Sequence, residues 1–333
     1  MTYIEVIATT ISGSIADWSK VKQIVPLFQK HGFDNVILTE VSSHKAARDA
    51  ARAALEETCR YPISAGGSGT FRAVMEGCID SGVPLSDIRL GFLRKGSADL
   101  IGKTLGMPDE IEASVKVLAE AITNDEWTPA DILSAQIRSD CDRTHYFIGY
   151  GGAGIFGRVP YYTENRFIKY YKGVLGQLFG DLGPFTAGMA LALTEKIIKS
   201  AYANPQVMQI WVDGEPVAEG SYQAVFVLNG YLGPDLPFSD KPLGCGEFYI
   251  FSIRDLGFIK LLRQAKQAMR GTISDYRKEL GFESYVAKRS MEIRYESNIS
   301  FPVNIDGSME MTDTKVTFGM KGTIPLLSSG ANR

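Results

Sequence analysis

Residues 64–75 read SAGGSGTFRAVM, and this stretch decides how the first third of the chain is interpreted. The glycines follow an apolar segment that predicts a strand over 61–65, and they precede residues at helical spacing, among them Phe71 and Val74. A glycine-rich turn between a strand and a helix lets backbone N–H groups approach phosphate oxygens closely. The same composition is also typical of a plain tight turn, so the stretch alone leaves both interpretations open.

The residues on either side of this stretch alternate between strand and helix patterns. Alternating apolar residues from Ile4 to Ala8 predict a strand, and the residues from Trp18 to Phe28 follow at helical spacing. Further strands are predicted at 35–40 and 88–93, and further helices at 44–57 and 110–122. Repeated strand–helix units predict a parallel sheet that is covered by helices on both faces.

After about residue 130 the pattern changes to short alternating segments, which are typical of antiparallel strands. These segments lie at 144–150, 206–212, 222–228, 247–253 and 291–296, with helical stretches near 163–180, 186–200 and 257–270. Asp-Gly pairs at 213–214 and 306–307 indicate hairpins. We therefore expect an α/β domain over residues 1–130 and a mostly antiparallel β domain over 131–333, with a ligand at their junction. Whether the C-terminal strand near 315–320 returns to the first domain is left open.

The composition argues against several classes of function. Lys and Arg number 35 against 38 Asp and Glu, giving a formal charge of −3, so we expect no nucleic-acid partner. The four cysteines lack a CxxC pair, which argues against a zinc site or a disulfide framework. No secretory signal and no apolar run long enough to span a bilayer is evident. We expect a cytoplasmic protein that is peripheral at any membrane, either as a monomer or as a homodimer.

Several motifs resemble one known family in the same order along the chain. LGFLRKGSADLIGKTLGMP (90–108) resembles LGIIPLGTGNDFARTLGIP, a pattern of the diacylglycerol kinase and sphingosine kinase family, and GGSGTFRAVMEG (66–77) resembles its GGDGTLNEVVNG. Further similarities follow the family order at TTISG (9–13), Thr39, GYGGAGIFGRV (149–159), Asn229 and NIDG (304–307). The resemblance covers nearly the whole chain.

The resemblance implies a fold and an activity. The fold would be a nucleotide-binding parallel α/β domain over residues 1–130, like that of NAD kinases and diacylglycerol kinases. A mostly antiparallel β-sandwich over residues 131–333 would follow and bind the lipid substrate. The activity would be an ATP-dependent lipid kinase of phospholipid metabolism, acting on a diacylglycerol-like or sphingoid hydroxyl at a membrane surface. The residues that would line the nucleotide are Ser12, Gly13, Thr39, Gly66, Gly67, Ser68, Gly69, Thr70, Arg94, Lys95, Gly96, Ser97 and Asp99.

The chain departs from the family pattern at its acidic residues. Positions that are acidic in the family are occupied here by Ser68, Ala73, Cys245 and Ser308. The position of Cys245 resembles that of a magnesium-binding aspartate, and a thiol is a poor ligand for Mg²⁺, which prefers hard oxygen donors. Arg94 and Lys95 add positive charge beside the glycine loop and could select a more highly charged ligand.

Neighbouring carboxylates are candidates to replace the lost ones. Asp306 and Ser308 are the candidate catalytic residues, with Asp306 as the proton acceptor, and Glu247 is the candidate ligand of a displaced Mg²⁺. Each has a structural alternative, because Asp306 would also shape a hairpin turn and Glu247 would also be a solvated strand residue. The sequence therefore leaves two functions: a lipid kinase, or a catalytically impaired family member that senses a nucleotide or a lipid.

Two further motifs carry alternatives of their own. GAGIFG (152–157) matches a dinucleotide-binding fingerprint, but the proline in the following RVPYYTENRF argues against the helix that such a site requires. The basic amphipathic stretch 258–278 predicts a helix that packs on the β domain or lies on an anionic membrane. The histidines, His31, His44 and His145, have no neighbouring ligand residues in sequence.

Overall fold

The structure is a computed structural model and describes residues 2–9, 18–94, 100–138, 142–163, 183–200, 206–233, 238–296 and 299–329. The chain divides into two compact units. The first unit contains residues 1–132 and 322–333, and the second contains residues 133–321. Each unit is described separately below.

A parallel sheet forms the centre of the first unit. Its strands are β1 (Ile4–Thr9), β2 (Val36–Val41), β3 (Tyr61–Gly66) and β4 (Gly91–Arg94), in the order β2-β1-β3-β4. Its helices are α1 (Trp18–Val21), α2 (Ile24–Lys30), α3 (His44–Glu56), α4 (Ser68–Asp80), α5 (Leu100–Thr104) and α6 (Ile111–Asn124), with a 3₁₀ turn at Leu85–Asp87. All of β1 is buried, as a strand covered on both faces should be. The parallel sheet predicted from the sequence is confirmed.

Helices α3 and α4 pack closely because Gly77 has no side chain. A Cβ at Gly77 would lie 2.3 Å from the carbonyl oxygen of Arg48 and 2.7 Å from Cβ of Ala51. The guanidinium of Arg48 then bonds to Asp80 at 3.0 Å and to Glu76 at 3.1 Å, both on α4. Packing and ion pairs therefore fix the angle at which α4 leaves β3.

The helix predicted from Trp18 to Phe28 is two helices. Helix α1 ends at Val21, and α2 begins at Ile24. Pro26 explains the interruption, because within one continuous helix its ring would clash with the carbonyl of Lys22 and remove a backbone hydrogen bond. In the first turn of α2 the missing N–H of Pro26 has no cost.

The end of the chain belongs to the first unit. The N–H of Leu90, just before β4, donates to the carbonyl of Pro325 at 3.0 Å, and the N–H of Leu327 donates to the carbonyl of Leu90 at 2.9 Å. Ser328 continues this contact, since its hydroxyl lies 2.8 Å from that of Thr128. The C-terminal strand therefore pairs with the first unit.

Eleven strands of mostly antiparallel pairing form a single curled sheet that extends through the second unit. They are β5 (Trp127–Ile137), β6 (Arg143–Phe147), β7 (Tyr150–Gly154), β8 (Val207–Val212), β9 (Glu215–Leu228), β10 (Phe248–Arg254), β11 (Phe282–Ala287), β12 (Ser290–Tyr295), β13 (Phe301–Ile305), β14 (Ser308–Thr312) and β15 (Lys315–Leu327). The order is β14-β13-β7-β9-β8-β12-β15-β5-β6, and β10 joins β9 to β11. The boundaries between the two units fall within β5 and β15.

The long strand β9 explains how this sheet closes around its core. Its first half pairs with β8, and its second half pairs with β7 and β10. Side chains from both halves of the sheet, such as Ile210 and Ile293 on one half and Val227 and Val303 on the other, share one buried cluster. The predicted sandwich-like β domain after the α/β domain is confirmed.

The GAGIFG segment is followed by a helix, contrary to the sequence interpretation. Helix α7 (Ile155–Thr163) contains Pro160 in its interior. Proline removes the bond to the carbonyl of Phe156 four residues earlier, and the side chain of Asn304 replaces it by donating to that oxygen at 3.3 Å. Because β7 pairs antiparallel with β9 and β13, the parallel strand–helix–strand unit of a dinucleotide site is nevertheless not formed here.

Three more helices complete the described part of the second unit. They are α8 (Gly183–Ser200), α9 (Phe258–Met269) and α10 (Arg277–Leu280), with a 3₁₀ turn at Ile273–Tyr276. The helices predicted near 186–200 and 257–270 are confirmed, whereas most of the one predicted near 163–180 lies outside the described residues. In the described ranges, every helix is too short or too polar to cross a bilayer.

Candidate functional site

The carboxyl ends of the four parallel strands meet at one edge of the first unit. Thr9 ends β1, Val41 ends β2, Gly66 ends β3 and Arg94 ends β4. Since β2 and β3 lie on opposite sides of β1, the strand order reverses between β1 and β3. Such a switch point opens a crevice at the carboxyl edge, which is where ligands bind in sheets of this kind.

The glycine-rich stretch lies at this switch point, between β3 and α4. Gly67 precedes the helix with an extended backbone, φ −85° and ψ −176°. The N–H of Phe71 makes the first helical bond, to the carbonyl of Gly67 at 3.0 Å. The N–H groups of Ser68, Gly69 and Thr70 therefore have no helical acceptor, and the positive end of a 13-residue helix lies beside them. This arrangement suits an anion such as phosphate.

Two of the glycines in this stretch are required by packing. A Cβ on Gly66 would lie 2.4 Å from Oγ1 of Thr70, and a Cβ on Gly69 would lie 2.9 Å from the imidazole ring of His44. The buried Thr70 hydroxyl lies 2.6 Å from that of Thr9, which links α4 to β1. The side chain of Thr70 therefore builds the loop, and any ligand contact from this residue would come from its backbone.

His44 is a residue at this edge that the sequence interpretation missed. It is the first residue of α3, and its ring contacts Gly69 of the glycine loop. The N-terminus of α3 is capped by Ser43, whose Oγ accepts the N–H of Ala46 at 3.0 Å. The signal that could have found His44 is its distance from the end of β2, since residues just after parallel strands gather at one edge.

Thr39 has a partner inside the sheet. Its hydroxyl donates to Oε1 of Glu5 at 2.5 Å, and the hydroxyl of Tyr3 donates to Oε2 at 2.7 Å. Glu5 is only 4% exposed, and a buried carboxylate requires such donors. Burial and then the bond to Glu5 raise the pKa of Tyr3. The predicted contact of Thr39 with a nucleotide stays a prediction.

The end of β4 lies beside the start of the glycine loop. In the parallel register of β3 and β4, Arg94 pairs with Gly66. The remaining nucleotide residues predicted from the resemblance lie outside the described residues, and these are Ser12, Gly13, Lys95, Gly96, Ser97 and Asp99.

In the second unit, Asp306 holds the turn between β6 and β7. Its carboxylate accepts the backbone N–H groups of Ile148 and Gly149, each at 3.3 Å, and that of Tyr150 at 2.7 Å. The side chain of Asn229 supports the same turn by donating to the carbonyl of Ile148 at 2.7 Å. Both oxygens of Asp306 therefore serve the backbone, and its role as a proton acceptor stays a prediction.

Ser308 lies just after this aspartate, at the start of β14. Asn304 closes the turn, because its Oδ1 accepts the N–H of Gly307 at 2.9 Å. Ser308 pairs with Ile305 across the hairpin and is partly buried, and its hydroxyl has no hydrogen-bond partner within the described ranges. Its hydroxyl is therefore available to another group, and the catalytic role predicted for it is untested.

The donors near Cys245 do not fit Mg²⁺. The exposed thiol of Cys245 donates to the carbonyl of Glu247 at 3.4 Å, and the carboxylate of Glu247 accepts the hydroxyl of Tyr249. Burial and then this hydrogen bond raise the pKa of Tyr249. Among the residues that the structure describes, no group of three or more His, Cys, Asp or Glu side chains is arranged to hold a metal ion. These contacts do not support the predicted role of Glu247 as a metal ligand.

Comparisons with known proteins agree with the family resemblance. Residues 4–135 match the model of the diacylglycerol kinase catalytic domain. The fold is similar to that of a candidate diacylglycerol kinase from Bacillus anthracis strain Sterne, at 19% identity and a TM-score of 0.69, covering 98% of this chain and 95% of that one. It is also similar to a diacylglycerol kinase from the same strain, at 16% identity and a TM-score of 0.64, covering 98% and 96%. A search of curated proteins gives no match.

Proposed function

We propose that this protein, in which residues 4–135 match the diacylglycerol kinase catalytic domain, transfers the γ-phosphate of ATP to a lipid hydroxyl. The observation that carries the proposal is the glycine loop at the switch point of the parallel sheet, inside the matched residues. Phosphoryl transfer depends mainly on positioning and on neutralising phosphate charge, and a loop at a helix N-terminus supplies both. The acceptor class we propose is a diacylglycerol-like or sphingoid lipid.

The residues at the strand edge suggest how the nucleotide would be held. The N–H groups of Ser68, Gly69 and Thr70 would donate to phosphate oxygens, and the ring of His44 beside the loop could donate as well. Arg94 begins a basic segment next to the loop, where a guanidinium would neutralise phosphate charge. A magnesium ion supplies further neutralisation in kinases. The residues near Cys245 do not fit one.

A second function is favoured by the residues that replace acidic residues of the family pattern. Ser68, Ala73, Cys245 and Ser308 stand where the family pattern is acidic, and Asp306 serves the backbone. A protein that kept the loop and lost these acids would bind a nucleotide or a lipid without transferring phosphate. The experiments below separate this sensor from a kinase.

Nucleotide binding is tested by substituting Gly67. Its backbone conformation is open to any L-residue, so Gly67→Val should preserve the fold while placing a branched side chain where phosphate would lie. We expect Gly67→Val to weaken ATP binding at least about tenfold in isothermal titration. The matched control is Ser86→Val, an exposed position at the opposite edge of the sheet, before β4. Equal ATP affinity in the Gly67 and Ser86 variants would remove the loop from the nucleotide site.

Phosphate transfer is tested with γ-labelled ATP and a total lipid extract, with and without magnesium. Label in a lipid that depends on the protein and is lost in Gly67→Val supports the kinase and identifies the acceptor class. ATP binding without any labelled lipid supports the sensor. Absence of both ATP binding and labelled lipid would contradict the kinase and the nucleotide sensor, and would leave only a sensor of lipid.

A further inference from the structure

Helix α9 is held to the second unit by one of its faces. Leu261 is only 5% exposed, and Gln264 is only 1% exposed. The amide of Gln264 donates to the carbonyl oxygens of Arg254 and Leu280, both at 2.8 Å. The predicted packing of this helix on the β domain is therefore correct for one face, and it fixes which side chains point outward.

The opposite face of α9 exposes large apolar side chains. Ile259 is 86% exposed and Leu262 is 58% exposed. At about 100° per residue, Ile259, Leu262 and Lys266 project from the same side of the helix, away from Leu261 and Gln264. Single exposed apolar residues are common on protein surfaces, but two neighbours at the centre of an outward face indicate a surface that contacts something.

The surroundings of these two residues are strongly basic. The segment 256–278 contains six basic residues and one acidic residue, in a chain with a net charge of −3. Arg263 is paired with Glu279. Lys260, Lys266 and Arg270 have no ion-pair partner within the ranges that the structure describes. At about 100° per residue, Lys266 and Arg270 lie on the same side of the helix as the exposed apolar pair, whereas Lys260 lies nearer to Gln264.

We propose that the outer face of α9 docks on an anionic membrane surface, with Ile259 and Leu262 entering the interface and Lys266 and Arg270 contacting lipid headgroups. Basic amphipathic helices bind anionic bilayers through this combination of apolar burial and charge. A second copy of the chain fits less well, because a twofold contact would bring these cations against their own counterparts. The lipid acceptor of the proposed function makes such a surface useful, although the inference depends only on exposure and charge.

Co-sedimentation of the full chain with lipid vesicles tests the proposal. The vesicles contain phosphatidylcholine alone, or phosphatidylcholine with about one-third phosphatidylglycerol. We expect binding only to the anionic vesicles, and weaker binding as the salt concentration rises. Lys266→Gln with Arg270→Gln should weaken binding roughly 25-fold, since each basic residue near the surface contributes about fivefold. Ile259→Gln with Leu262→Gln should weaken it at least about tenfold.

Matched control variants keep the experiment specific. Lys20→Gln with Lys22→Gln removes two exposed charges from the first unit, and Val286→Gln removes an exposed apolar side chain that is 47% exposed on β11. These variants should bind anionic vesicles as the unmodified protein does. Because all the substituted side chains are exposed, their thermal unfolding should be unchanged, which checks the fold.

Three outcomes would overturn the proposal: equal binding to both kinds of vesicle, unchanged binding by the α9 variants, or an equal loss in the control variants. Loss of self-association in Ile259→Gln with Leu262→Gln, without loss of vesicle binding, would instead assign the face to a protein interface. The result is separable from the kinase test. Vesicle binding without transfer would contradict only the kinase, and transfer to detergent-dispersed lipid without vesicle binding would contradict only this proposal.

Discussion

Two hairpins of the second unit contain the same Asp-Gly pair, and in both the aspartate carboxylate accepts backbone N–H groups from another segment of the chain. In the β8–β9 hairpin, the carboxylate of Asp213 accepts the backbone N–H groups of residues 288–290 at 2.7–3.0 Å. In the β13–β14 hairpin, the carboxylate of Asp306 accepts those of residues 148–150 at 2.7–3.3 Å. Both aspartates have positive φ, 51° and 45°, as the twist of a two-residue hairpin requires.

This comparison bears directly on the candidate proton acceptor. No chemical role is predicted for Asp213, so its contacts show what an aspartate does for an Asp-Gly hairpin in this fold. Asp306 makes the same set of contacts. The resemblance to a catalytic hairpin therefore has a sufficient structural explanation, and three experiments can break or sharpen the equivalence of the two aspartates.

The largest effect is expected on stability. Asp306→Ala should lower the free energy of unfolding by about 2–3 kcal/mol, because Ile148 and Gly149 are buried and their N–H groups would lose their acceptor without access to water. Asp213→Ala should cost only about 1 kcal/mol, because residues 288 and 289 are exposed and water can replace the carboxylate. Urea denaturation measures both. A larger loss of unfolding free energy in Asp213→Ala than in Asp306→Ala would contradict this account of the two turns.

A smaller effect on the free energy of unfolding is expected when a change of pH protonates the carboxylate of Asp213. Burial acts to raise the pKa of Asp213, but the N–H groups of Ser290, Lys288 and Arg289 together hold it below its ordinary value of 3.8. A lowered pKa in the folded state stabilises the protein above the ordinary value, and this contribution is lost as the pH falls through the folded value.

Asp213→Asn removes this titration and provides the measurement. The difference in unfolding free energy between the unmodified protein and Asp213→Asn should be constant near neutral pH and should shrink below about pH 3.8. The same measurement of unfolding free energy against pH on Asp306→Asn then shows whether the two hairpins depend on pH in the same way. A difference for Asp213→Asn that grows toward acid pH would mean that the backbone contacts do not favour the charged carboxylate.

Much of this fold follows from patterns that are local in sequence. Apolar alternation predicted the strands of the parallel sheet, and the two Asp-Gly pairs predicted both hairpins, because period and turn chemistry are encoded by adjacent residues. The helix after GAGIFG was missed for the opposite reason. Pro160 argues against a helix locally, and the donor that makes the helix tolerable, Asn304, lies more than a hundred residues away in the sequence.

The candidate site could also be predicted only in part from the sequence. The glycine loop and the position of Arg94 beside it could be predicted from the motif and from strand pairing. The contact of His44 with Gly69 could not, because it depends on which strands are neighbours. The bond between Thr39 and Glu5 could not be predicted either, because it depends on the pairing of β1 with β2.

The smallest effect is expected on the rate of phosphate transfer, and it decides the role of Asp306. Asparagine keeps the shape of aspartate and an oxygen acceptor for the turn, but it cannot take a proton. If the two aspartates are equivalent, Asp306→Asn and Asp213→Asn should each lower kcat by less than about threefold in the labelled-lipid assay, below the roughly 100-fold loss that removal of a general base causes. A loss of that size in Asp306→Asn alone, with an altered pH–rate profile, would give Asp306 a chemical role in addition to its structural one. The carboxylate would then have to accept a substrate hydroxyl either beside its three backbone N–H contacts or in place of one of them.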